Sequence, residues 1–292
     1  YLGGAGAGNY VKMVHNGIEY AEMQLIAEIF EICLQHADPN LESIQSLFKR
    51  WQNSSSESYL LGISSEILSY KEAGEPYINR IRDQASNKGT GAWATASGAL
   101  AGSPNNLMAA ALHARFTSSS HSLRKKNSIE YPSLASNNNV PIPNLKKTYD
   151  ICRWINHHQG FDMIKQASDT YKWNLSLENV ALVWSEGSII KSKLMDQLKL
   201  LFPDANSVME MNPFKKLVYK GQKEWVDVLI YSIGKGIPTP CISNAWNYFK
   251  AITQARSSAC LIQAQRDFFG SHGFELIAVS YTHLTLPTIH RV

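Results

Sequence analysis

From about Asn9 to Gln35 the chain runs without a proline, and its apolar residues (Val11, Met13, Val14, Ile18, Met23, Leu25, Ile26) recur at helical rather than alternating spacing. That pattern commits the opening of the chain to one long α-helix and leaves a β-strand no register in which to hide its apolar residues. The same stretch carries Lys12, His15, Asn16 and Glu19. Their spacing of i, i+3, i+4 and i+7 puts an amine, an imidazole, an amide and a carboxylate on one helical face, with Tyr20 and Met23 extending the stripe. An amine and a carboxylate aimed the same way can serve as base and acid in one reaction. The plainer reading is a solvated face with an ordinary His15/Glu19 helix pair. The apolar surroundings favour the first, because burial beside a charge is how an enzyme moves a lysine toward its working pH.

The remainder also reads as helix. Asp38-Pro39 stops the first helix, with Pro39 suited to the first position of the next. Helices are expected over Leu41–Trp51, Ser56–Tyr70, Asn105–Thr117, Pro143–Tyr171, Leu177–Trp184 with Ser176 as N-cap, Ile189–Leu201, Phe214–Ile233, Ser243–Arg256 and Ile262–Phe269, the last stopped by Gly270. Residues 118–142, rich in Ser, Asn and Pro and carrying Arg124-Lys125-Lys126, are expected to be a surface loop. No strand alternation of useful length and no fixed repeat is present, so the fold is expected to be all-α. At 292 residues, one large domain or two ordinary ones fit.

Composition narrows the function. The net charge of +4 is too mild and scattered for nucleic acid, but it suits an anionic small molecule. No apolar run approaches the roughly 18 residues of a membrane span, and no signal segment opens the chain. Cys33, Cys152, Cys241 and Cys260 lie far apart without a CxxC, which reads as reduced core thiols of a cytoplasmic protein. The chain opens on Tyr1 rather than Met, so further residues upstream are expected.

Two other segments could carry chemistry. In Asn87-Lys88-Gly89-Thr90-Gly91, two glycines open the backbone while Lys88 and Thr90 supply a charge and a hydroxyl, suitable for holding a phosphate; a plain interhelical turn is the alternative. Arg115 and Arg266 read locally as surface charges. Gly3-Gly4-Ala5-Gly6-Ala7-Gly8 has no strand before it and does not satisfy GxGxxG, so a dinucleotide site there is not expected. His157 and His158 point about 100° apart on a helix, poor geometry for a shared metal, and no metal is expected.

Taken together, KMVHNGIEY (Lys12–Tyr20), NKGTGAW (Asn87–Trp93), GIPTP (Gly236–Pro240) and IQAQRDFFGSH (Ile262–His272) resemble the helical substrate domain of the decarboxylating 6-phosphogluconate dehydrogenases, in order and over about residues 1–276. The resemblance implies a multi-helix C-terminal-like domain of that family and NADP-dependent oxidative decarboxylation of 6-phosphogluconate to ribulose 5-phosphate and carbon dioxide, a step of the pentose phosphate pathway. It implies Lys12 as general base and Glu19 as general acid. His15 and Asn16 would orient the sugar acid. Tyr20, Lys88, Thr90, Arg115 and Arg266 would hold its phosphate, and His272 would make a further substrate contact. It also implies a homodimer whose active site borrows the arginine and histidine of the last segment from the partner. The family's NADP-binding domain precedes this region and has no counterpart here.

Ser86, Ala92, Lys191 and Asn9 depart from the family pattern without touching the named positions. Residues 278–292 do not fit the family's tail and resemble translated vector sequence; His283 and His290 within them receive no role, and residues 277–292 are set apart from the domain. Two alternatives stay open: a non-catalytic helical dimerisation module, and a related β-hydroxyacid dehydrogenase acting on an unphosphorylated acid. Lys88, Arg115 and Arg266 argue against the latter.

Overall fold

The computed structural model describes residues 2–36, 40–132 and 139–277, arranged as two compact units, residues 1–246 and 247–292. Pro39 and the tail from 278 onward, with His283 and His290, lie outside the described residues.

The first unit is helical, as the periodicity requires. Its elements are α1 (Ala7–Leu34), α2 (Leu41–Gln52), α3 (Tyr59–Ser69), a hairpin of β1 (Lys71–Glu72) and β2 (Glu75–Pro76), α4 (Thr90–Ala101), α5 (Asn106–Ser119), α6 (His121–Glu130), α7 (Ile142–Tyr171), α8 (Leu177–Gly187), α9 (Lys193–Leu201), α10 (Asn212–Lys235) and α11 (Pro240–Ile252), within which the division falls. Side-chain oxygens start several helices. Asn40 accepts from the Glu42 N–H, Ser58 from Leu61, Ser176 from Asn179 and Ser192 from Met195, each satisfying a donor that the first turn leaves open. The hairpin turns on Ala73 and Gly74, both at positive φ.

At the centre is α7, buried on nearly every face from Leu145 to Ser168, with α1 and α10 packed on it. Glycines allow the close approach. A Cβ on Gly160 would stand 2.4 Å from Ile18 Cδ1, and one on Gly221 2.9 Å from Ile151 Cδ1. The far end of α1 is tied by the Tyr231 hydroxyl, which donates to the Gln35 carbonyl at 2.9 Å. A second tie is the buried Glu28 carboxylate, which accepts the first N–H groups of α11 from Cys241 (2.8 Å) and Ile242 (2.9 Å).

Three local expectations change. Residues 121–130, expected as loop, form α6. None of its residues is buried, and it is held by Arg124, which pairs with the Asp83 carboxylate and donates to the Ser118 carbonyl at 3.0 Å. Polar composition conceals such a helix, because no apolar period marks it. The expected helix over Ile189–Leu201 starts only at Lys193. The preceding residues run alongside 57–59, where Tyr59 N–H donates to the Lys191 carbonyl at 2.9 Å and Ser58 bridges Ser192. Of the four thiols expected in the core, Cys33, Cys152 and Cys241 are buried and Cys260 is exposed.

The second unit carries α12 (Ala259–Gly270). Asp267 is buried and its carboxylate accepts the Gly273 N–H at 2.8 Å, folding the chain back after the helix. The stop is Ser271, at φ 52°, rather than Gly270, which is the last helical residue. A Cβ at Gly270 would lie 2.7 Å from His272 Nε2, so a larger residue there would turn that exposed ring aside.

Candidate active site

The quartet on α1 converges on one atom. Lys12 Nζ lies 3.4 Å from His15 Nδ1, Asn16 Oδ1 lies 3.3 Å from it and Glu19 Oε2 3.8 Å. Lys12 and Glu19 stand two turns apart, about 10 Å along the axis, yet both reach the same imidazole edge. An amine and a carboxyl so placed can address two neighbouring atoms of one small substrate. The burial expected around this face falls on His15, which is 2% exposed, and partly on Glu19, while Lys12 is exposed. Burial, then the Lys12 charge, pushes the His15 imidazole down to about 4, so it is neutral near pH 7. Burial raises the Glu19 carboxyl, partly offset by Lys12 and Arg115. A carboxyl moved upward is easier to keep protonated, as a general acid must be.

One turn further on, Tyr20 leads to a second group. Its ring carries the Arg115 guanidinium at 3.5 Å from the ring centre, and Arg115 is steadied by the Ser86 carbonyl (3.1 Å) and Met23 Sδ (3.4 Å). The same ring abuts the first turn of α4, where a Cβ on Gly91 would be 2.5 Å from Tyr20 Cε2. Gly89, at φ 95°, turns the chain into α4, and its N–H is held by Asn87 Oδ1 at 3.2 Å. Thr90 is the first helical residue and no acidic side chain occupies that turn. The open N–H groups and positive end of α4, with Thr90, Tyr20 and Arg115, form a fitting seat for a phosphate. Lys88, exposed and next to Gly89, adds a cation at its edge.

Reading the sequence alone misses how this seat is built. Gly91 serves the Tyr20 ring rather than loop flexibility, and Met23 and the Ser86 carbonyl position Arg115. The G-x-G spacing after Lys88 is the one available signal, and it does not say which side chain comes close.

Arg266 and His272 lie on the second unit. Arg266 is exposed and donates to Gln263 Oε1 at 3.1 Å, one turn before it. His272 packs edge-on to Phe269 at 6.2 Å.

The class defined by these features is a helical substrate-binding domain with an amine–carboxyl pair beside an anion seat. The family model for the C-terminal domain of 6-phosphogluconate dehydrogenase matches residues 8–285. The decarboxylating 6-phosphogluconate dehydrogenase of Haemophilus influenzae is 35% identical over 94% of this chain and 58% of its own length. That of Dictyostelium discoideum is 35% identical over 95% of this chain and 59% of its own. A solved structure of the Plasmodium falciparum enzyme, described in apo form and with its cofactor NADP+ and its substrate 6-phosphogluconate, superposes with a TM-score of 0.93 at 30% identity. It covers 98% of this chain and 64% of that one. The chain therefore belongs to the 6-phosphogluconate dehydrogenase family, and it spans about 58–59% of the length of these curated relatives.

Proposed function

We propose that this chain is the substrate domain of an NADP-dependent 6-phosphogluconate dehydrogenase that forms ribulose 5-phosphate and carbon dioxide. The observation that carries the reading is the placement of Lys12 and Glu19 on one imidazole edge, one turn from the Tyr20–Arg115–α4 anion seat. Family relatives with this activity support it. No described segment fits NADP: the described strands are two residues each, too short for the strand–turn–helix that binds a dinucleotide. When bound, NADP supplies the hydride acceptor, while the residues of this chain orient the sugar acid and move its protons.

Lys12, as a neutral amine, takes the proton from the hydroxyl on the sugar acid's third carbon. The ketone formed there accepts the electron pair released with carbon dioxide, and the now protonated Lys12 donates to the resulting enolate oxygen. Glu19, its carboxyl raised by burial, delivers a proton to the first carbon. His15 and Asn16 orient the sugar acid. Thr90, Tyr20, Lys88 and Arg115 hold the phosphate.

Arg266 and His272 we assign to the active site of a second copy, in a homodimer. The support is the uncovered apolar surface around Arg266: Leu261, Ile262, Phe268 and Phe269 are each about 60–70% exposed. No described helix is long and apolar enough to cross a membrane, and we place the protein in the cytoplasm on the strength of its metabolic relatives.

Titration calorimetry of the chain with 6-phosphogluconate tests the substrate assignment. Saturable binding that is lost in Arg115→Ala is expected. Binding that survives Arg115→Ala would place the phosphate elsewhere and overturn the Tyr20–Arg115–α4 seat.

A further inference from the structure

Behind the face that meets substrate, His15 has a second side. Its Nε2 points into the protein, buried, with no protein partner. His157 on α7 is 1% exposed, and its Nε2 is likewise buried without a protein partner. The two rings belong to one locality. Asn156, beside His157, donates to the Ile18 carbonyl of α1 at 2.9 Å, and α1 runs antiparallel to α7 there, with Glu22 level with Arg153 and Ile18 level with Asn156. Trp184 of α8 packs edge-on to His15 (5.6 Å) and against Phe161 (5.2 Å), one turn beyond His157 on the same face of α7. His157 is near enough to act electrostatically on His15.

The chemistry of the atoms then fixes the order of donors. His157 Nδ1 lies 2.8 Å from the Arg153 carbonyl oxygen, which can only accept, so Nδ1 carries the proton. A neutral His157 must then have a bare lone pair on Nε2. Two bare buried acceptors in one such locality would both stay unsatisfied, a costly arrangement. One arrangement serves both Nε2 atoms, with the Asn16 amide presenting its NH2 group to His15 Nδ1 in place of the Oδ1 that lies 3.3 Å from it. His15 carries its proton on Nε2 and gives it to His157 Nε2 across one water, since neither atom has a direct protein partner. His15 Nδ1 is then free to accept from Lys12. We infer that His157 is a positioning residue that fixes the tautomer of His15, so that Lys12, His15, His157 and the Arg153 carbonyl form one directed line of hydrogen bonds. The line holds the Lys12 amine by one N–H while the rest of that nitrogen faces the substrate. This deepens the function proposed above and rests on it for its catalytic meaning, though not for its test.

The other charged groups around His157 are Glu22 and Arg153. They form an ion pair at 2.6 Å, and Glu22 also accepts from the Tyr149 hydroxyl at 2.8 Å, so its charge is balanced without His157. Glu22 Oε2 has no hydrogen-bond partner, and a doubly protonated His157 donating to it is the competing arrangement.

Long-range proton–nitrogen correlation NMR on the uniformly nitrogen-15-labelled chain at pH 7.5 distinguishes them, with His15→Asn and His157→Phe spectra assigning the rings. The expected result is protonated Nε2 and bare Nδ1 on His15, with the reverse on His157. In His157→Phe the His15 tautomer is expected to invert or to average between forms, and in His157→Gln, whose amide offers an acceptor again, to return to the wild-type pattern. A His15 proton on Nδ1 in the unaltered chain, or a doubly protonated His157, overturns the inference even if no variant folds. An unchanged His15 tautomer in a folded His157→Phe variant overturns it as well. Neither readout involves substrate, so loss of 6-phosphogluconate binding in the calorimetric test would leave this result standing.

Discussion

The helices α1 and α12 both carry a motif of the family, and they are built in opposite ways. Around the proposed site, the buried side chains of α1 are braced. His15 meets three neighbours at Nδ1, Tyr20 is pressed between α4 and Arg115, and Glu22 and Glu28 anchor the back of the helix to α7 and α11. In α12, Arg266 donates within its own helix, and four large apolar side chains lie open. Groups that must hold a reacting geometry within a fraction of an ångström sit on a packed element. Groups proposed to serve another subunit's site can wait on a surface that the proposed partner would complete.

The sharpest way to break this contrast is Arg153→Ala. It leaves the Glu22 carboxylate buried without its ion-pair partner, which costs about 3–5 kcal/mol; urea unfolding measures it, and a loss below about 1 kcal/mol would mean that the ion pair does not hold α1 to α7. Gly91→Ala comes next. The new methyl meets the Tyr20 ring rather than a flexible chain end, so overpacking of about 1–3 kcal/mol is expected together with weaker 6-phosphogluconate binding. An unaltered binding isotherm would separate Tyr20 from the phosphate seat.

The pH dependence of unfolding sharpens the picture further, because the buried groups of α1 and α7 pull in opposite directions. His15 and His157 are pushed by burial down to about 4 from an ordinary 6.5. The unfolded chain therefore binds more protons between those values, and their stabilisation is full above pH 6.5 and lost as the pH falls toward 4. Glu28 is raised by burial from 4.5 to about 7, so its contribution is full below pH 4.5 and lost as the pH rises through 7. Measured from pH 4.5 to 7.5, the rise in the urea midpoint should flatten in His15→Asn and steepen in Glu28→Gln. The same slope in all three proteins would show that these groups titrate like exposed ones. The smallest effect is expected on α12: Arg266→Ala should leave the urea midpoint unchanged while weakening 6-phosphogluconate binding if the proposed phosphate contact exists. A clear loss of stability would mean that α12 is braced after all.

The fold is largely legible in the sequence because periodicity survives translation into helices: α1, α2, α7 and α10 fall close to where their apolar repeats put them. The exceptions share a cause. In α6 the residues that hold the helix are polar, and residues 189–192 are drawn out of helix by pairing with 57–59, a partner far away in sequence. The site is legible in kind but not in construction. Spacing on α1 puts the quartet on one face, and the motif resemblance names the anion ligands. Which groups are buried is not legible, since the apolar residues around Lys12 shelter His15 instead. The line behind His15 depends on α7, whose His157 reads in isolation as an unremarkable core residue.

Glu28 also has a bearing on how the chain is made. Its partners Cys241 and Ile242 lie 213 and 214 residues downstream, and Tyr231 reaches Gln35 across 196. A ribosome therefore completes α1 long before it supplies the groups that seat it, and a carboxylate meant for the interior must wait in water until α11 emerges. Contacts of such separation are slow to close. The helix that carries the proposed chemistry is thus made well before α11, 213 residues separating Glu28 from Cys241, and is secured only once α11 arrives.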